Sequence, residues 1–193
     1  REARKQYGAL WVRGFDILSE VEFEEVALAI DPDLQNEYYG TSPRRALSSY
    51  TFSASELPGY YPIPQHCEMS YVANPPKHLF FWCDIPPARN TGETPLCDFR
   101  KVYNDLDPAV RERFDQGGIR IIRNYDGPTT PKRFDLWKMK RWDEIFLTTD
   151  REAVEKACEE QGFVPEWLED DRLRLITEQP ASQGHPVTGE RVW

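Results

Sequence analysis

The sequence predicts a mixed α/β chain built on short strands, and three observations carry that prediction. Two capping signatures, Ser19 to Glu22 and Thr149 to Glu152, each precede a segment with helical spacing of apolar residues. The run His78-Leu79-Phe80-Phe81-Trp82-Cys83 is bulky and apolar and is stopped by Pro86-Pro87, as expected of a strand buried on both faces. Residues 118–125 alternate polar and apolar side chains imperfectly, and Leu173-Arg174-Leu175-Ile176-Thr177 has a similar strand-like character.

In chain order, Gly8-Ala9-Leu10-Trp11-Val12-Arg13-Gly14-Phe15 reads as a short buried strand closed by glycine. After Ser19, the residues Val21, Phe23, Val26, Ala27, Leu28 and Ile30 give a helix one apolar side, until Pro32 opposes continuation. Residues 33–62 are rich in Tyr, Ser, Pro and Gly and keep no period, so they predict irregular structure. Within them Arg44 and Arg45 can clamp a carboxylated substrate or decorate the surface. Tyr50, Phe52, Tyr60 and Tyr61 suit packing at the core and its rim. Beyond His78–Cys83, where His78 reads as structural, Gly92-Glu93-Thr94 forms a turn. Asp98 caps a helix through Val102 and Leu106, and Asp107-Pro108 starts another that ends at Gly117-Gly118. A strand over 118–125 leads to Gly127–Trp142. There Lys132, Arg133, Lys138, Lys140 and Arg141 stand among Phe134, Trp137 and Trp142 as a basic island, either a lid or docking surface or a solvated loop. A helix through Cys158 to Gly162, a strand at 173–177 and a turn at His185-Pro186 complete the order.

Composition narrows the function. At 193 residues and 39% hydrophobic content, the chain is long enough for a single domain over 1–193 with its own core. Lys and Arg total 24 against 33 Asp and Glu, and the net charge of −9 repels a phosphate backbone, so nucleic acid is not an expected partner. Cys67, Cys83, Cys97 and Cys158 show no Cys-x-x-Cys spacing, which removes zinc-ribbon and thioredoxin-like readings. The absence of a signal-like segment and of a long apolar run predicts a cytoplasmic location and no membrane partner.

The chemistry centres on Ile63-Pro64-Gln65-His66-Cys67-Glu68-Met69-Ser70-Tyr71. In a strand, residues i and i+2 share a face and lie about 6.5 Å apart along the chain, so His66 and Glu68 can share one metal ion while Cys67 faces away. A His, a carboxylate and a distant second His make the facial triad of non-haem Fe(II) oxygenases. The plain alternative is a histidine paired to a neighbouring glutamate.

The order of motifs around this pair is similar to that of a known family. The matching stretches are Trp11-Val12-Arg13-Gly14-Phe15, Pro43-Arg44-Arg45, His66-Cys67-Glu68, Asn74-Pro75-Pro76-Lys77, Pro86 to Asp98, Arg123-Asn124-Tyr125, Phe146 to Arg151 and His185 to Glu190. In this order they resemble the taurine-dioxygenase-like (TauD/TfdA) family of Fe(II)/2-oxoglutarate oxygenases, closest to its clavaminate-synthase-like members, which carry Glu where most have Asp. The resemblance implies a mainly β fold, a double-stranded β-helix (jelly roll) with flanking helices. It implies Fe(II) on His66 and Glu68 as metal-binding and catalytic residues, with 2-oxoglutarate held by Thr94. A small-molecule substrate, free or tethered to a carrier protein, is expected to contact Met69, Tyr71, Arg44 and Arg45. A carboxylate at 68 implies hydroxylation rather than halogenation.

The family's distal histidine and its 2-oxoglutarate-binding arginine have no counterpart here, because His185 falls in an element that the family uses as a turn before a strand. The chain thus reads as lacking the family's C-terminal part. Three explanations compete: a fragment of an active oxygenase, a shortened inactive relative that binds through the same pocket, or a site completed by His185 or a partner chain.

Overall fold

The computed structural model describes residues 6–40, 42–88, 92–132 and 139–193. These residues form a mixed α/β architecture with antiparallel sheets. Helix α1 spans Glu20–Ile30, α2 Phe99–Asp105 and α3 Pro108–Gly117; strand β1 follows at Ile119–Tyr125. Then come α4 (Trp142–Phe146), α5 (Arg151–Gln161), β2 (Val164–Trp167), β3 (Leu173–Gln179) and a small hairpin of β4 (Gln183–Gly184) and β5 (Arg191–Val192).

Strand β3 lies at the centre of a three-stranded sheet, with β1 and β2 antiparallel on either side. Ile119 pairs with Gln179 and Tyr125 with Leu173 along one edge, while Val164 pairs with Ile176 along the other. Register follows from burial: Leu173, Leu175 and Thr177 alternate inward, and a slip of one residue turns them all to solvent. The core packs on this face. Val154 and Cys158, one helical turn apart on α5, are fully buried with Leu173 and Leu175, and Trp142, Ile145, Tyr125 and Phe163 close around them. Trp142 donates its indole N–H to the Asp171 carbonyl at 2.8 Å and meets Trp167 edge-on at 5.2 Å. Gly127 is required at this corner, because a Cβ there lies 2.1 Å from the Asp171 carbonyl oxygen and 2.4 Å from Trp142 Nε1.

The caps expected from sequence are present, with two shifts. Ser19 accepts from the Glu22 amide, but the Glu22 carboxylate reaches back to the Leu18 amide rather than to Ser19. Helix α5 is capped by Asp150, which accepts from the Glu152 amide at 3.0 Å, rather than by Thr149. Asp98 and Asp107 cap α2 and α3 as expected. Gly162 ends α5 at φ 70, the left-handed conformation that glycine adopts without Cβ strain.

Three expected strands are not formed among the described residues. The stretch 8–15 is exposed, with Trp11 at 85%, and is not in a ladder. The run His78–Cys83 is extended but unpaired, and only one of its faces is covered. His78, Phe80 and Trp82 are half-buried; His78 meets Asp31 at the end of α1, and Trp82 stacks on Phe23 of α1 at 5.9 Å. Leu79 and Phe81, pointing the other way, are 51% and 76% exposed. The segment with His66 and Glu68 is extended coil running into a turn. All three have apolar content suited to a strand, yet none of them joins a ladder among the described residues. The mixed α/β class therefore stands, in the form of two small antiparallel sheets. No described helix is long and apolar enough to cross a membrane.

Candidate metal centre

The segment bearing His66 and Glu68 is fixed at its downstream end. Glu68 to Tyr71 form a turn in which the Ser70 amide bonds to the Cys67 carbonyl at 3.4 Å and the Val72 amide to the Met69 carbonyl at 3.1 Å. Met69 takes a left-handed φ of 46 at its centre. Past the turn, Val72 is buried in the core. Tyr71 donates its hydroxyl to the Tyr39 carbonyl at 3.1 Å, and the Arg123 guanidinium covers its ring at 3.9 Å. Arg123 also donates to the Tyr125 hydroxyl at 2.9 Å and lies 4.6 Å from the Phe163 ring. Burial pushes the Tyr71 phenol well above its ordinary value, against the opposing pull of Arg123.

His66 and Glu68 converge, although the segment that carries them is extended coil entering a turn rather than a paired strand. Nε2 of His66 lies 3.8 Å from Oε2 of Glu68, too long for a hydrogen bond but inside the span of about 4.2 Å that two metal–donor bonds of ~2.1 Å can bridge. The other ring nitrogen decides the tautomer. Nδ1 lies 2.8 Å from the Pro64 carbonyl, and a carbonyl only accepts, so Nδ1 donates; in the neutral ring this leaves Nε2 as the lone-pair nitrogen facing Glu68. A backbone acceptor behind one ring nitrogen is how metal-ligating histidines are commonly oriented. The His66 side chain is 55% exposed and Glu68 only 20%.

The remaining sequence-predicted residues divide. Arg44 belongs to the site, with Nη2 3.7 Å from the Glu68 carboxylate. It is presented by an irregular loop in which Ala46 bridges Phe52 and the Ser53 amide bonds to the Arg45 carbonyl. Glu24 on α1 holds that loop through Ser48, Tyr50 and Thr51. Arg45 is exposed and, among the described residues, is held through its backbone N–H and C=O. Met69 and Tyr71 face the core side of the turn. Thr94 lies in an exposed extended stretch and has no hydrogen bond to His66 or Glu68 among the described residues.

Sequence reasoning missed Tyr38 and Gly40, and it assigned Lys140 no place of its own. Tyr38 presents its ring to Arg44, with Cζ 5.0 Å from the centroid, and to Lys140, with Nζ at 5.1 Å. The only sequence signals were a tyrosine in an aperiodic stretch and a lysine in the basic island. Of that island, Arg133, Phe134, Trp137 and Lys138 lie outside the described residues, as do Arg89, Asn90 and Thr91 of the motif preceding Thr94. Lys132 is exposed, Arg141 is engaged by Asp143 at 2.9 Å, and Trp142 belongs to the core.

Two positions of a metal centre fit His66 and Glu68: an aromatic nitrogen with a free lone pair and a half-buried carboxylate aimed at the same point. Among the described residues no group of three His, Cys, Asp or Glu can hold a metal ion. His185 does not supply a third donor. Its Nδ1 accepts from the Val187 and Thr188 amides at 3.3 and 3.2 Å, inside the turn joining β4 to β5, in agreement with a turn role. His78 is engaged with Asp31.

Comparison with known proteins places this chain in a family. The chain is 28% identical over 192 residues to the dapdiamide synthesis protein DdaC of Enterobacter agglomerans, covering 100% of this chain and 55% of that protein. It is 31% identical over 193 residues to a clavaminate synthase-like protein of Arabidopsis thaliana, covering 96% of this chain and 56% of that one. The chain thus spans about half the length of the curated relatives it matches. The model of the taurine catabolism dioxygenase TauD, TfdA family matches residues 1–193, and the chain belongs to that family.

Proposed function

We propose that this chain is part of an Fe(II)- and 2-oxoglutarate-dependent dioxygenase that hydroxylates an unactivated C–H bond of a small amino-acid-like or natural-product substrate, free or carrier-tethered. The observation that carries the reading is the convergence of His66 and Glu68. The His66 Nδ1–H is committed to Pro64, and the neutral ring then turns Nε2 toward a half-buried carboxylate 3.8 Å away, two donors that one cation can share. Membership of the family supports the same reading.

In this proposal His66 Nε2 and Glu68 hold the iron, and the Thr94 hydroxyl donates to a carboxylate of 2-oxoglutarate without adding charge. When bound, iron would activate dioxygen, the oxidant, with 2-oxoglutarate as two-electron co-reductant: one oxygen atom would end in the substrate hydroxyl and the other in succinate, with CO2 released. The protein's own contribution is orientation. The Met69 turn and the clasp of Tyr71 by Tyr39 and Arg123 fix the direction of Glu68, and Arg44 balances its charge before the metal arrives. The third metal donor and the cation for the far carboxylate of 2-oxoglutarate belong, in this proposal, to the part of the protein that the relatives carry beyond the matched half. A complete double-stranded β-helix would likewise pair the exposed sides of residues 8–15 and 78–83.

Anaerobic titration with Fe(II) and 2-oxoglutarate tests the proposal. A visible metal-to-ligand charge-transfer band that disappears in Glu68→Ala supports the enzyme. A colourless mixture points instead to a non-catalytic family member that binds small acids.

A further inference from the structure

Arg44 and Lys140 come from distant parts of the chain, and both approach the ring of Tyr38, at 5.0 and 5.1 Å from its centroid. Both side chains are half-buried. The Tyr38 ring is seated on Gly40, where a Cβ lies 2.1 Å from Tyr38 Cζ, so any side chain at 40 displaces the ring. Nε of Arg44 is buried and has no hydrogen-bond partner among the described residues. Burial lowers the Lys140 ammonium pKa; Glu144 opposes that, and Arg44 adds a smaller push in the same direction as burial. Among the described residues Arg44 pairs with the carboxylate of Glu68 at 3.7 Å, which the oxygenase reading turns to the metal.

We propose that Arg44, Lys140 and the ring of Tyr38 form a subsite for a carboxylate group of a bound ligand, next to the His66–Glu68 pair. The inference rests on the oxygenase reading, because Arg44 is free to receive a ligand once Glu68 binds a cation. A divalent ion on Glu68 makes the surroundings more positive, and an incoming carboxylate offsets that charge. The buried Arg44 Nε–H is a donor that such an anion satisfies, and the Tyr38 ring gives the ligand an apolar wall.

Isothermal titration of the Co(II)-loaded chain with glutarate, a dicarboxylate lacking the 2-oxo group that chelates the metal, tests this. Glutarate is expected to bind the wild type and to bind about tenfold more weakly to Lys140→Met and to Gly40→Ala, with affinity restored in Lys140→Arg. Equal affinity in all four proteins, or no glutarate binding to the wild type, overturns the proposal. Prior saturation with 2-oxoglutarate identifies the ligand: displaced glutarate assigns the subsite to the cosubstrate, and retained glutarate assigns it to the primary substrate. The visible Co(II) bands report separately on the metal. If they do not depend on His66 while glutarate binding still depends on Lys140, the oxygenase reading fails and the carboxylate subsite stands.

Discussion

Replacing Tyr71 with Phe removes one hydroxyl where the candidate metal segment enters the core. Two donors reach the Tyr39 carbonyl: the Tyr71 hydroxyl at 3.1 Å and Arg123 Nη1 at 3.4 Å. The carbonyl therefore keeps a partner in Tyr71→Phe, and the cost is the net value of one neutral hydrogen bond, about 0.5–1.5 kcal/mol, rather than the ~1–3 kcal/mol of an orphaned buried acceptor. The ring and its contact with Arg123 survive. Tyr71→Leu also removes the face over which the guanidinium sits at 3.9 Å, adding roughly 0.5–2 kcal/mol for a partly desolvated cation–π contact. Urea unfolding followed by far-ultraviolet circular dichroism reads both losses. A Tyr71→Phe loss well above 3 kcal/mol, or a Tyr71→Leu protein as stable as Tyr71→Phe, refutes this account of how the turn is held.

Further expectations follow from the core and from charge. Leu173→Ala, at a fully buried position facing α5, should cost about 2–5 kcal/mol in the same assay, whereas Phe81→Ser on the exposed side of the 78–83 run should stay within roughly 0.5 kcal/mol. Asp150→Ala should lose about 1 kcal/mol with the cap of α5. Asp171 has a pKa below its ordinary value of 3.8: burial alone would raise it, but the Thr129 N–H and O–H and the Arg151 guanidinium outweigh burial. The unfolded chain then takes up the proton first as acid is added. The stabilisation is full above pH 3.8 and is lost as pH falls through the lower folded value, so Asp171→Asn should flatten the acid side of a stability–pH profile.

The helices were legible because their signals are local. Asp98, Asp107 and Gly162 act within a few residues of where they stand, and the positions of α2, α3 and α5 follow from them. Strands β1 and β3 were also legible, since each alternates and each finds the other. Strand β2 was not, because Val164-Pro165-Glu166-Trp167 has a proline and little pattern and is a strand only by pairing with β3. The opposite error arose at 8–15 and 78–83, whose composition suits strands but whose partners are not among the described residues. The His66–Glu68 convergence was legible from spacing and family likeness, yet its cause was misread. The segment is extended coil running into a turn at Glu68, with no strand partner among the described residues, and nothing in the residue types announces that. Lys140 and Tyr38 could not be paired from sequence, since only tertiary packing brings them to Arg44.

The most direct test of the central claim is a double-mutant cycle on metal affinity, with Co(II) as the probe and wild type, His66→Ala, Glu68→Ala and the double variant compared. If imidazole and carboxylate grip one ion, either single change removes most of the binding and the second removes little more. Losses that simply add, or cobalt affinity indifferent to both residues, would contradict a shared metal at this turn.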